Sequence, residues 1–140
     1  MKKLVGFAAV LVALFLSNNI FSNDLIFEYN GRKYEVTKQD LYERYNFNGA
    51  KAACAGLLTT DDKEGKTGWV VPSDEVLNAM YEQLYKKNLG GFADHVYWSS
   101  SKKPYNNDGR EYPRVQDFRS GVPGYGSNES YWSVRCVRVP

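Results

Sequence analysis

Two cysteines, Cys54 and Cys136, constrain this chain more than any other feature. They are the only two, and the chain opens with a segment that marks it for export. In an oxidising compartment such a pair can close as a disulfide. A bridge over a loop of roughly 80 residues stabilises a fold by about 4–5 kcal/mol in the chain-entropy model. The spacing is far too wide for a CxxC redox or zinc motif. Two buried free thiols are the alternative, and the residues alone leave both open.

The opening reads MKKLVGFAAVLVALFLSNNIFSND. Lys2 and Lys3 make a positive start, and Leu4 to Leu16 an apolar run of about 13 residues, as in a secretory signal. A bilayer span needs about 20. Ile20 and Ser22 are tolerable at the minus-three and minus-one positions of a cleavage site, so cleavage is expected after Ser22; an uncleaved anchor is the alternative. This predicts a signal peptide over 1–22, one domain over 23–140, periplasmic or secreted localisation, and no stable membrane span after cleavage. Lys2 and Lys3 also account for the excess of 18 basic over 16 acidic residues. The remainder is balanced, which gives no general case for nucleic acid or an anionic membrane.

The chain after Ser22 reads as an α+β pattern. Leu25 to Val36 is expected to form a hairpin over 25–36, because Asn30-Gly31 separates two aromatic and β-branched runs. Residues 37–58 read as a helix with Thr37 as cap, Asp40 in the first turn and a break near Asn48. Ala50, Ala53, Cys54 and Leu57 then share its buried face. TTDDKEGKTG reads as a solvated loop, and Trp69–Val71 as a short strand stopped by Pro72. A second helix follows, with Ser73 as N-cap, Asp74 and Glu75 in the first turn, Lys86 and Lys87 in the last, and Gly90 as C-cap. Leu77, Met80, Tyr81 and Leu84 make its apolar face. Beyond Phe92, HVYWSS, VQDF and YWSVRCVRV read as strands. In the last, Trp132, Val134 and Cys136 share one face, and Ser133 and Arg135 the other.

Catalytic and metal signatures are weak. His95 is the only histidine, so a His-rich metal site is excluded, and a packed or surface role fits it better than a general base. Ser99, Ser100 and Ser101 lack the GxSxG context of a nucleophile elbow. No phosphate-binding glycine loop occurs. Asp61, Asp62 and Glu64 do not follow the EF-hand spacing. Asn128-Glu129-Ser130 matches a glycosylation sequon, which carries little weight behind a bacterial-looking signal. No metal or cofactor is expected.

The segment from Tyr97 to Trp132 is more informative. It is dense in Tyr, Trp, Asn, Ser, Gly and Arg, the side chains of adaptable recognition surfaces. Lys102, Lys103, Arg110, Arg114 and Arg119 could form a local basic patch for a sulfated or carboxylated polymer. The structural alternative is a Gly-rich loop whose aromatics fill a small core, and Trp98, Phe118 and Trp132 read as core. Candidate ligand contacts are Tyr105, Asn106, Asn107, Arg110, Arg114, Arg119, Tyr125 and Tyr131.

Five segments occur in an order that resembles one family: AKAACAGL, WVVPSDEVLNAMY, GGFADHVYWSSS, VQDFRSG and SVRCVRV. It is the exported bacterial domain family named for the C-terminal domain of a collagen-like adhesin, Lcl. The resemblance covers about Asn48 to Val139. Val70 departs from it, standing where an arginine is usual, which puts any contact of that arginine in question. The resemblance implies a C-type-lectin-like variant: two helices, a small, mostly antiparallel sheet with long loops, and a disulfide from the first helix to the last strand. It also implies that Tyr97 to Ser100 is a central strand opening into a ligand-bearing region. The E-P-N, Q-P-D and W-N-D calcium motifs of lectins are absent, so calcium-dependent sugar binding is not expected. The expected function is a non-enzymatic adhesion or binding module for a protein or an anionic glycan. Two alternatives are an envelope or secretion-apparatus subunit, and an enzyme related to the formylglycine-generating oxidases. Fold likeness alone does not choose among them.

Overall fold

The computed structural model describes residues 24–57 and 65–140. The signal segment 1–22 and Asp61, Asp62 and Glu64 lie outside the described residues. Among the described residues the architecture is α+β, with two helices and two three-stranded antiparallel sheets. β1 (Leu25–Tyr29) and β2 (Arg32–Val36) form the expected hairpin. Asn30 and Gly31 take φ of 53° and 74°, the left-handed pair that a two-residue type I′ turn requires. β6 (Val137–Arg138) pairs with β2 to complete the first sheet.

The helix expected over 37–58 is corrected to α1 at Phe47–Ala55. Thr37 caps nothing; its N–H donates to the Cys136 carbonyl at 3.0 Å. Leu41 and Tyr45 donate likewise to Val134 and Trp132 at 2.9 and 3.1 Å. Pairing with the closing segment therefore overrides the local helix propensity of 37–46. The real cap is Asn46, whose side chain accepts from the Gly49 N–H at 2.8 Å, an arrangement worth about 1 kcal/mol. The helix begins where the sequence suggested a break. Phe47, Ala50 and Cys54 are buried, while Ala53 and Leu57 are half-buried. Cys54 and Cys136 are joined in a disulfide with Cα atoms 5.7 Å apart, which removes the free-thiol alternative.

The strand expected at Trp69–Val71 is reduced to one bridge, Val70 exchanging two 2.8 Å bonds with Val137. α2 (Asp74–Gln83) starts as expected at Ser73, whose hydroxyl accepts from the Val76 N–H at 3.3 Å. It buries Val76, Leu77, Ala79 and Met80. A 3-10 turn at Tyr85–Lys87 follows, and Asn88 in the left-handed region, rather than Gly90, terminates it. TTDDKEGKTG is not solvated throughout: Lys66 reaches Glu35 at 2.7 Å and Asp24 at 3.1 Å. Arg138 also pairs with the buried Glu35, at 3.0 Å.

The second sheet holds β3 (Val96–Pro104), β4 (Glu111–Asp117) and β5 (Pro123–Tyr125) in that order. Both expected strands prove longer, and their register shifts between Trp98 and Lys102. The three serines lie within that irregularity. Ser99 Oγ accepts from the Ser101 N–H at 2.9 Å, the Ser100 N–H donates to the Pro72 carbonyl at 2.8 Å, and Ser101 Oγ accepts from the Asp74 N–H at 2.9 Å. The bulge thereby docks on the start of α2 and satisfies one of its orphan amide groups.

The long final strand is also corrected. Only Val137–Arg138 belongs to a sheet, while Trp132 bridges Tyr45 and Ser133 makes a parallel bridge to Tyr97. Chain runs along both sides, so Ser133 and Arg135 are buried together with Val134 and Cys136. Val137 packs in a core with Phe27, Leu77, Met80 and Phe118; Val134 and Cys136 pack in a second with Phe47, Trp69 and Trp98. Trp132 packs against the second core half-buried rather than within it. The Arg135 guanidinium lies over the Phe92 ring at 4.0 Å. It donates to Asp40 at 2.9 Å and to the carbonyls of Thr37, Gly90 and Gly91 at 3.1, 2.7 and 3.1 Å. Asp40, expected in a helical turn, also accepts from the Tyr97 hydroxyl at 2.7 Å. No helix among the described residues is long and apolar enough to cross a membrane.

Candidate functional site

β3 and β4 run past the serine bulge to a hairpin end at residues 105–110, and this end carries most of the candidate contacts. Register places Arg114 opposite Tyr125 and Lys103 opposite Tyr112. The Arg114 guanidinium lies 4.3 Å over the Tyr125 ring. Tyr105 stacks on Tyr125, with centroids 4.7 Å apart and planes 14° apart. Tyr112 meets Tyr105 edge-on at 6.2 Å. The result is a short column of Arg114, Tyr125 and Tyr105, with Tyr105 62% exposed at its outer end.

Several bonds hold the column. Arg114 Nε donates to Asp74 Oδ2 at 3.1 Å, fixing the guanidinium to the first turn of α2. The Tyr125 hydroxyl donates to the Pro104 carbonyl at 2.5 Å. The Tyr112 hydroxyl donates to Asp108, which also accepts from the Arg110 N–H at 2.9 Å. That hydroxyl holds the Asp108 carboxyl below the usual carboxylate range, and Asp108 in turn pushes the Tyr112 hydroxyl up. Next to Tyr125, Gly126 leaves no room for a side chain: a Cβ there would lie 2.7 Å from the Trp98 ring. The end of β5 is thus seated on the core.

Six candidates gather at this end: Tyr105, Asn106, Asn107, Arg110, Arg114 and Tyr125. Asn106, Asn107 and Arg110 are exposed in its turn. Arg119 and Tyr131 do not join them. Arg119 follows β4 at the far end of the sheet and forms a two-pronged pair with Asp117, at 2.9 and 2.7 Å. Tyr131 is exposed beside the Trp132–Tyr45 bridge. The expected basic patch is also corrected. Lys103 and Arg114 share Asp74, at 3.0 and 3.1 Å, Arg119 holds Asp117 below its usual range, and Lys102 lies 5.1 Å over the Phe47 ring. Four of the five cations are therefore engaged by a carboxylate or a ring, and they do not present one common face.

Sequence reasoning missed Tyr112 and Asp74. Two-residue alternation along β4 would have placed Tyr112 beside Arg114, had that strand been started at Glu111 rather than Val115. Nothing local connects Asp74 to Arg114, 40 positions later.

A groove of about 440 Å³ adjoins the column, sharing Arg114, Lys103 and Asp74 with it. α2 supplies Asn78 and Glu82 to its wall. Gln116 is held there by bonds to the Asn78 side chain at 2.9 Å and the Gly121 carbonyl at 3.0 Å. Such a surface can stack a flat face on Tyr105 and hydrogen-bond a polar chain along the groove. Among the described residues no group of three His, Cys, Asp or Glu side chains could hold a metal ion. Both cysteines are joined in the disulfide. The chain matches no family model and no curated protein sequence.

Proposed function

We propose that this protein is an exported bacterial binding module of C-type-lectin-like type, acting without catalysis in the periplasm or outside the cell. It recognises a protein or a glycan through the hairpin end of its second sheet. The observation that carries the reading is the column of Arg114, Tyr125 and Tyr105, whose last ring faces solvent. A stacked pair of tyrosines offers a large, rigid contact at low entropic cost. A disulfide between the first helix and the closing segment, and a Tyr97–Ser100 strand opening into this region, support the lectin-like assignment and the similarity to the collagen-like adhesin domain. The pairing of Arg114 and Arg119 with carboxylates favours a ligand read by stacking and hydrogen bonds over one read by charge alone.

Glycan-array and heparin-column binding test this, comparing the protein with Tyr105→Ala and with an Arg110→Ala, Arg114→Ala double variant of the hairpin end. Loss of array binding in Tyr105→Ala is the expected result. Array binding insensitive to Tyr105→Ala sinks the tyrosine face. Heparin retention abolished in the double variant restores a charge-driven reading.

A further inference from the structure

Far from the tyrosines, a small cavity of about 120 Å³ opens beside the start of β3. Its volume equals that of about four liquid waters, room for one small charged group. Its polar lining comes from four separate stretches of chain: Arg44, His95 with Asp94, Arg119 and Ser133. Val96 and Trp132 supply apolar wall. We propose that this cavity is a second binding site, which takes a single oxyanion group, carboxylate or sulfate, presented by a ligand.

Three observations carry the proposal. Arg44 makes no hydrogen bond or ion pair with any of the described residues, so its guanidinium is available. Arg119 gives Nε and Nη2 to Asp117, which leaves the rest of its five N–H donors for a ligand. His95 is held in place: its Nδ1 lies 3.0 Å from Oγ of Ser133, a residue only 5% exposed, and its carbonyl accepts from the Phe118 N–H at 2.9 Å. A ring fixed on one nitrogen presents the other in a set direction, so ordering costs little on binding. Guanidinium groups match oxyanions through paired, charge-assisted bonds. Asp94 is the one carboxylate in the lining and opposes binding, though it already accepts the Tyr85 hydroxyl at 2.5 Å.

His95 is the only histidine in the chain, so its ring Hε1 resonance reports on this cavity alone. The disulfide-bonded protein is titrated at constant pH with sodium acetate and sodium sulfate, against sodium chloride of matched ionic strength. A saturable shift with either oxyanion, absent with chloride, is expected. Saturation by acetate alone assigns the site to carboxylates, and by sulfate alone to sulfate esters. Arg44→Gln weakens binding by about tenfold, as expected when one charge-assisted hydrogen bond to the anion is removed. Asp94→Asn strengthens it by about threefold, as expected when a repelling carboxylate is neutralised. Lys33→Gln, exposed on β2 of the N-terminal hairpin, leaves it unchanged. A shift that fails to saturate, that chloride reproduces, or that neither Arg44→Gln nor Asp94→Asn alters overturns the proposal.

Discussion

Two regions of this molecule are assembled from nearly the same parts. In the interior, the Arg135 guanidinium lies 4.0 Å over Phe92 and is tied to Asp40, which also holds the Tyr97 hydroxyl. At the hairpin end, the Arg114 guanidinium lies 4.3 Å over Tyr125 and is tied to Asp74, with Tyr105 stacked beyond. The difference is what surrounds them. Arg135 is 1% exposed and donates to three backbone carbonyls besides the carboxylate, so almost every donor is used within the fold. The Arg114 column ends on a ring open to water. The same cation, carboxylate and aromatic set is a structural joint when chain closes over it, and a receptive face when one end is left open.

Removing the disulfide should have the largest effect and should fall on the interior. A Cys54→Ser, Cys136→Ser variant is expected to lose about 4.5 kcal/mol of stability in urea unfolding, from the freed loop of roughly 80 residues. Loss of less than about 1 kcal/mol would mean that hydrogen bonds alone hold the closing segment.

Arg135→Met comes next, at about 4 kcal/mol, because it leaves Asp40 and three carbonyls without their buried partner. Equal stability to the unaltered protein would show that this unit is as dispensable as its exposed counterpart.

The interior also predicts an alkaline response. Burial, and after it the bond to Asp40, push the Tyr97 hydroxyl well above its ordinary 10.0. The folded protein keeps a proton that the unfolded chain releases above about pH 10. This contribution is therefore complete below that pH and is lost progressively as pH rises toward the folded value. Tyrosinate absorbance should show one tyrosine titrating only with unfolding, and Tyr97→Phe should abolish that component. Smooth titration of all tyrosines in the folded protein would contradict it.

Tyr105→Ala should have the smallest effect on stability, about 0.5 kcal/mol, since it removes only an exposed ring from the stack. Thermal unfolding that moved as far as in Arg135→Met would erase the contrast between the two regions and make the column structural.

The α+β class, the hairpin at Asn30-Gly31 and the Ser73 cap were legible because each rests on a local or compositional signal; the two cysteines were legible as a possible pair, and the structure joins them. Tyr105, Arg114 and Tyr125 were marked as candidate contacts of one region, but that Arg114 and Tyr125 lie opposite each other on paired strands was not. That residues 37–46 form an irregular, non-helical segment was not legible. TKQDLYERY carries ordinary helical propensity, and only the carbonyls of Trp132, Val134 and Cys136, some 90 positions later, supply better partners for the amides of Tyr45, Leu41 and Thr37. The basic patch failed for the same reason: charge was visible in the sequence, but the carboxylates that engage it, Asp74 above all, come from a distant helix.

By itself, then, the sequence determined which residues punctuate the chain, which runs are apolar, and that a disulfide within the chain could join no cysteines but Cys54 and Cys136. Tertiary structure alone decided which charges are spent and which face water. Propensity and periodicity act over a few residues, whereas hydrogen-bond satisfaction and burial depend on whatever the closing segment brings alongside.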